Sequence, residues 1–340
     1  MLKAGKLDSK VLKKLVFDNI TYKSKDVLVR AGVGEDCAVI DYGKYECVIS
    51  TDPITAAISD IGALAIHITC NDIATNGVAP AGIVLALMLP VGSTEADVRR
   101  IMEQAGQTAA SLGIEIIGGH TEITPAVNTP VIVSTAVGKA LKGTSQSAEN
   151  MKPGDLIYMT KYSGLEGTGI IAGDYRDELL KTGEFTEEEL SQAADLLKQV
   201  SVVKEGLSAG AVGTSGMHDI TEGGVLGAVW EVCHISNRGC EVWKDHIPVL
   251  PITRRIAKHF DIDYLRLISS GCMLIILDPS KKQQLESAME KIGVKLSQIG
   301  VVKELEEGRI IKGTQAGKGR AIAPPGSDEL YKVMGNKAVY

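Results

Sequence analysis

The chain has 340 residues, 44% of them hydrophobic and 23% charged, with a formal net charge of −6. That length suits two domains, each with a buried core. The acidic balance argues against nucleic acid or an anionic membrane as the main partner, and 4% aromatic residues leave few platforms for stacking single-stranded bases.

The start, MLKAGKLDSKVLKKL, lacks the long apolar core and cleavage site of a signal peptide. No apolar run reaches the roughly 18 residues of a membrane span, so a cytoplasmic protein is expected. The six cysteines, at 37, 47, 70, 233, 240 and 272, form no C-x-x-C pair and read as buried thiols in a reduced compartment. The histidines show no zinc-binding spacing.

In chain order, residues 10–20 read as an amphipathic helix with Val11, Leu12, Leu15 and Val16 on one face. Two short strands follow, around Ala38–Ile40 and Cys47–Ile49. From Asp60 a helix places Ile61, Leu64, Ala65 and Ile68 on one buried face and ends at Asn76-Gly77. Ile83–Leu89 is a strand, and Thr94 with Asp97 forms a capping box for a helix burying Val98, Ile101, Met102, Ala105, Ala109 and Leu112. Ile114–Ile117 is a strand running into Gly118-Gly119, and Val131–Gly138 is another.

The polar segment 139–153 is the expected boundary, giving domains 1–150 and 151–340. The second domain begins with strand Leu156–Thr160 and the loop SGLEGTG, read as a flexible strand-to-helix connection. A long helix runs from the Thr186/Glu189 capping box to about Ala209. Strand Met273–Leu277, helix Lys281–Ile292, a hairpin-like region and an irregular tail from Gly313 complete the chain. The alternation of strands and helices predicts an α/β or α+β layer architecture.

Three stretches carry chemistry. GEDCAVI, STDPIT and DIGALAIHITCNDIATNG set Asp36, Asp52 and Asp72 beside apolar residues, and Asp72 lies four positions beyond Ile68 on the same helix face. A buried carboxylate is costly unless it is paired or bound to a metal, and hard oxygen donors suit Mg²⁺, which arrives with substrate phosphates. Each aspartate could instead cap a helix or turn. In GGHTEITP, Gly118 and Gly119 admit a ligand close to the backbone, with donors and an acceptor from His120, Thr121 and Glu122. An ordinary glycine turn is the alternative. In MHDITEGGVLGA, Asp219 could face a cation while free amides at the next helix start hold an anion. Simple N-capping by Asp219 or Thr221 is the alternative.

These motifs stand in an order that resembles the aminoimidazole ribonucleotide synthase (PurM-like) superfamily. That group also holds the hydrogenase maturation protein HypE, selenophosphate synthetase and thiamine-monophosphate kinase. The resemblance spans almost the whole chain and is nearest to HypE and the HypE-like, AIR synthase-related proteins. It implies a PurM-like two-domain α/β (α+β) fold, whose N-terminal domain builds a β-barrel across a homodimer and whose C-terminal domain is also α/β. It further implies ATP, with Mg²⁺ bridging its phosphates, in a cleft between the domains. Carried over by motif, Asp36, Asp52, Asp72 and Asp219 are similar to the metal- or phosphate-coordinating positions, with Asn71 beside them.

Two departures bear on the reaction. HypE proper ends in a cysteine that carries the carbamoyl group, whereas this chain ends GNKAVY; selenophosphate synthetase has a reactive residue near its start, and nothing before Cys37 could serve. The residue after the Gly-Gly pair is His120, as in the selenophosphate branch, where thiamine-monophosphate kinase and aminoimidazole ribonucleotide synthase have an acid, and Glu122 follows two residues later.

The resulting expectation is an ATP- and Mg²⁺-dependent, HypE-like enzyme that phosphorylates and dehydrates an amide- or carboxyl-type substrate. His120 and Glu122 would do proton and orientation work. Asp36, Asp52, Asn71, Asp72, Gly118, Gly119, Thr121 and Asp219 would bind the nucleotide, and Asp36, Asp52, Asp72 and Asp219 its metal. A nucleotide-binding regulatory subunit and a small-metabolite kinase or ligase are the alternatives. Expected partners are the nucleotide, a small-molecule or protein-bound substrate, a second copy of the chain and a maturation factor.

Overall fold

The computed structural model describes residues 7, 9–55, 60–313 and 319–335. The last five residues of the GNKAVY tail, and most of the segment before Ser9 read for a signal peptide, lie outside the described residues. The described residues form two compact units. One comprises residues 24–30 and 36–145; the other comprises residues up to 23, 31–35 and those from 146 onward. They are called the N-terminal and C-terminal units below.

The first helix, α1 (Ser9–Leu15), is shorter than its apolar spacing suggests and buries no residue. The Asn19 side-chain amide donates to the Leu15 carbonyl at 2.9 Å and closes the helix, after which a 3₁₀ turn spans Phe17–Asn19. The face expected to be buried is open, with Leu15 54% and Val16 40% exposed.

The N-terminal unit is built on β1 (Val27–Val29), β2 (Ala38–Tyr42), β3 (Tyr45–Ile54), α2 (Ile61–Thr75), β4 (Pro80–Leu89), α3 (Glu95–Leu112), β5 (Glu115–Ile123) and β6 (Val131–Leu141). Its six-stranded sheet runs β1-β2-β3-β6-β4-β5. Every pair is antiparallel except β4–β5, whose parallel pairing uses α3 as the crossover. Helix α2 packs on β3, β6 and α3. It meets α3 at Gly62, where a Cβ would stand 2.2 Å from the Ile101 carbonyl oxygen. The Thr94/Asp97 capping box forms as expected, and Ile101, Ala105 and Ala109 are buried. Val98, Met102 and Leu112 are only half-buried.

The GGHTEI stretch is strand rather than turn. Its edge strand β5 continues through Ile123, and Gly119 is required because a Cβ there would lie 2.0 Å from the Leu85 carbonyl oxygen of β4.

The C-terminal unit has a seven-stranded sheet of order β13-β12-β9-β11-β7-β10-β8. Its strands are β7 (Leu156–Thr160), β8 (Gly216–Asp219), β9 (Gly239–Trp243), β10 (Met273–Leu277), β11 (Leu296–Lys303), β12 (Arg309–Lys312) and β13 (Arg320–Ala321). Its further helices are α4 (Leu165–Asp174), α5 (Arg176–Lys181), α6 (Glu187–Ala194), α7 (Val203–Val212), α8 (Gly224–Ile235), α9 (Pro251–His259), α10 (Lys282–Lys291) and α11 (Glu329–Gly335). β10 is buried throughout, and one face of β7, β8 and β10 joins α7 and α10 in a core of Tyr158, Val202, Ala209, Met217, Met273, Ile275, Leu277, Leu285 and Met289.

Three expectations change here. The helix predicted from Thr186 to Ala209 is α6, a 3₁₀ turn over Asp195–Gln199, and α7. The capping box at Thr186 and Glu189 is present, but the carbonyls of Gln199 and Ser201 turn away to accept from the Lys161 ammonium, a contact no local pattern announces. The SGLEGTG stretch is not a flexible loop, because α4 begins within it at Leu165. Its glycines are packing positions, with a Cβ at Gly167 falling 2.5 Å from Leu267 and one at Gly169 2.8 Å from Leu197. The final hairpin is β12–β13; β11 instead pairs with β7 and β9.

Candidate active site

In the N-terminal unit, α2 and β3 converge on Asp72. Its side chain accepts from Ser50 Oγ at 2.6 Å, and its backbone carbonyl accepts from Cys37 Sγ at 3.1 Å and Thr75 Oγ1 at 2.7 Å. Ser50 and Asp52 are two apart on β3 and share its helix-facing side. Asp36 immediately precedes Cys37, so Asp36, Asp52 and Asp72 lie on segments that meet at α2. Asn71, also predicted, is fully buried beside it. Ser134 Oγ bonds to Thr69 Oγ1 of α2 and donates to the Asp52 carbonyl at 3.4 Å, tying that end of β3 to the helix.

Side chains paired across a sheet share a face, and the register separates two groups of predicted residues. Asp52, Ser134, Leu85 and Gly119 form one row, on the side where Ser134 and Leu85 are buried under α2. The next row, Pro53, Val133, Ala86 and His120, faces the other way. His120 and Glu122 therefore project from the face opposite Asp52 and Asp72. They are 3.3 Å apart (Nε2 to Oε2) and exposed, with Thr121 between them.

In the C-terminal unit, Asp219 ends β8 and is 1% exposed. His218 Nδ1 lies 2.6 Å from the Asp219 carbonyl oxygen, and because a carbonyl only accepts, Nδ1 carries the hydrogen. Nε2 then faces Glu231 Oε2 at 3.8 Å. Glu35, in this same unit, has its pKa raised to about 7 by burial and by the nearby Glu149, with His218 pulling it down.

At the helix start after Asp219, the amides of Gly223, Gly224 and Leu226 are already taken within the chain. The Gly223 amide donates to Asp328 Oδ2 at 2.7 Å, and the other oxygen of Asp328 accepts from Ile268 N at 3.2 Å and Leu330 N at 2.8 Å. Burial raises the Asp328 pKa to about 6 against these three bonds, with Glu222 adding to the rise. Glu166 of α4 is also buried, its Oε2 makes no hydrogen bond among the described residues, and burial lifts its pKa to about 7. Ser270 beside it acts to lower that value, while Asp328 and Glu222 raise it further.

Ser50, His218, Glu231, Glu166 and Asp328 escape the sequence reading. Strand alternation from Asp52 points to Ser50. Asp328 lies more than a hundred positions from the helix it caps and has no local signature. Within the N-terminal unit, Asp36, Asp52 and Asp72 offer hard carboxylate oxygens, Asp72 buried, a donor chemistry that suits Mg²⁺ carried with nucleotide phosphates; Asp219 of the C-terminal unit is buried as well.

Residues 34–140 match the family model for the N-terminal domain of AIR synthase related proteins, and residues 152–313 match the model for the C-terminal domain. The chain belongs to the AIR synthase related family. A relative in Bradyrhizobium diazoefficiens named carbamoyl dehydratase HypE is 27% identical over 309 residues, covering 88% of this chain and 87% of the relative. Among solved structures, the HypE–HypF complex aligns with a TM-score of 0.77 at 21% identity, covering 93% of this chain and 99% of that one. HypE in complex with ATP aligns at 0.69 and 20%, covering 97% and 98%. These structural likenesses establish the two-domain PurM-like fold expected from the motifs.

Proposed function

We propose that the chain is a HypE-like, ATP- and Mg²⁺-dependent enzyme that dehydrates an amide-type substrate by way of its phosphorylated oxygen. The observation that carries this reading is the buried, hydrogen-bonded Asp72 in a chain matched over both halves by the AIR synthase related models. The 27% relative named carbamoyl dehydratase supplies the substrate class, and the ATP-bound HypE structure supports the nucleotide.

In this reading Asp36, Asp52, Asp72 and Asp219 present oxygens to Mg²⁺, and Asn71, Gly118, Gly119 and Thr121 approach the nucleotide. Mg²⁺ held by these carboxylates would neutralise charge on the transferring phosphoryl group. Ser50 holds the Asp72 carboxylate in one orientation, so the ligand is aimed before the nucleotide arrives. The amide oxygen of the substrate forms the new bond to the γ-phosphorus, ADP leaves, and one N–H proton is lost. The carbon–oxygen bond then breaks, phosphate departs, and loss of the second N–H proton leaves the nitrile. His120 and Glu122, on the face of the sheet opposite Asp72, serve proton transfer in this reading only at a site completed by a second copy.

His120 and Glu122 stand on the open face of the sheet beside Val84, and Ile117 of the same edge strand is about half exposed. A second copy covering this face would complete the dimeric barrel the family resemblance implies and would enclose His120. The solved HypE–HypF complex supports a maturation-factor partner of the same kind.

The test is release of ADP by the purified protein with Mg²⁺, with and without small carbamoyl compounds. Stimulation by such a compound supports the enzyme. Mg²⁺-dependent binding without turnover under any of them favours a regulatory nucleotide-binding subunit.

A further inference from the structure

Lys161 follows the last residue of β7 with φ at 53°, one of three non-glycine residues with positive φ among those described. A lysine gains nothing from that backbone region, where Cβ crowds the neighbouring carbonyl, so its surroundings must hold it there. They do so through the ammonium. Lys161 Nζ lies 3.0 Å from the Gln199 carbonyl oxygen, 2.7 Å from that of Ser201, 2.8 Å from that of Gly271 and 2.6 Å from Glu205 Oε1. The lysine side chain is 15% exposed and that of Glu205 3%.

An ammonium has three N–H donors, which the three carbonyls and the Glu205 carboxylate share. Glu205 Oε1, the nearest of the four oxygens, balances the charge. Four oxygens, one of them anionic, thus surround a single positive charge. That is the composition of a monovalent-cation site, filled here by a cation tethered to the chain.

The cage gathers segments distant in sequence. Gln199 and Ser201 lie between α6 and α7, and Gly271 is in the turn into β10, where its φ is 98° and a Cβ would meet the Gln199 carbonyl oxygen at 2.5 Å. From Gly271 a short path leads to Asp219. The next residue, Cys272, donates its thiol to the Tyr162 carbonyl at 2.9 Å and accepts from the Ile220 amide at 2.9 Å through its own carbonyl. Met273 is then the register partner of Asp219 across β10–β8.

We propose that Lys161 is a positioning residue whose ammonium occupies an internal monovalent-cation cage, fixing residues 271–273 and, through them, the Asp219 carboxylate. The role at Asp219 rests on the reading of that residue as an oxygen donor to Mg–ATP; the cage itself does not.

Lys161→Ala empties the cage and Lys161→Met fills it with an apolar chain. Thermal midpoint and Mg–ATP affinity are measured for both in choline chloride, and again with choline replaced by ammonium or methylammonium at constant ionic strength. Lys161→Ala should lower the midpoint and weaken Mg–ATP binding by about ten- to a hundredfold, the range for an outer residue that orients a ligand. The small cations should restore both in Lys161→Ala and neither in Lys161→Met. Undiminished affinity in Lys161→Ala, or equal rescue of Lys161→Met, overturns the proposal. If neither variant folds, ¹⁵N-lysine NMR of the wild type decides it. One ammonium in slow exchange with water, missing from Lys161→Arg, is expected, and no such signal overturns the cage. A wild type with that signal that binds no Mg–ATP refutes the nucleotide reading and the role at Asp219, leaving the cage intact.

Discussion

Ser50 Oγ donates to Asp72 Oδ2 across 2.6 Å, joining the middle of β3 to the last turn of α2. The contact links two predictions of different origin, a period-2 strand and a period-3.6 helix, at one carboxylate. Ser50→Ala removes a bond to a charged group, worth about 1.5–3 kcal/mol. It should also weaken Mg-dependent ATP binding about tenfold through loss of orientation. Titration of the variant with ATP at saturating Mg²⁺ checks this, and unchanged affinity would detach Ser50 from the site.

Glu166 gives stability a pH dependence of known sign. Its carboxyl is raised from 4.5 to about 7, so the folded state holds the proton more tightly than the unfolded state. That contribution is complete below about pH 4.5 and is lost as pH rises through 7. The shift corresponds to roughly 3 kcal/mol. Glu166→Gln keeps the shape and removes the titration, so the variant should gain on the wild type from pH 4.5 to pH 8. Urea midpoints that stay parallel over that interval would contradict it.

Asp328 fastens residues 328–330 to the start of α8 through the Gly223, Ile268 and Leu330 amides. Asp328→Ala leaves buried amides without an acceptor, at a cost of about 1–3 kcal/mol each where water cannot replace it. Hydrogen exchange should then quicken at Gly223 and Ile268 and through α11, while α2 and α3 keep their protection. Unchanged exchange at Gly223 would show that the cap is dispensable.

The paired glycines of β5 should differ sharply. A methyl at Gly118 meets nothing within 4 Å, whereas one at Gly119 would press on the Leu85 carbonyl oxygen at 2.0 Å. Gly118→Ala should be close to neutral. Gly119→Ala should cost at least about 2 kcal/mol, since backbone cannot step aside as a side chain can. Thermal denaturation of the two variants compares them directly, and similar midpoints would contradict the close approach of β4 and β5.

The parts of this structure that sequence exposes are those set by neighbours in the chain. The Thr94/Asp97 and Thr186/Glu189 boxes, strand Leu156–Thr160, and the burial of Ile61, Leu64, Ala65 and Asp72 on α2 all follow from local periodicity and capping chemistry, although Ile68, expected beside them, is only half-buried. Long-range contacts account for much of the rest. The Lys161 ammonium takes carbonyls from the expected 186–209 helix, close packing on Leu267 and Leu197 explains glycines that read as a loop, and Asp328 occupies an amide that read as free. His120 is a mixed case: the predicted strand, Ile114–Ile117, stops short of it, and the face it presents emerges only from the register with Ala86.

The most direct test of the central claim is equilibrium binding of ATP to the wild type and to Asp72→Ala, each with and without Mg²⁺. The account predicts tight binding only for the wild type with Mg²⁺, and a loss of more than about tenfold in the folded variant. Equal affinity with and without the metal, or an Asp72→Ala protein that binds Mg–ATP as the wild type does, would contradict it.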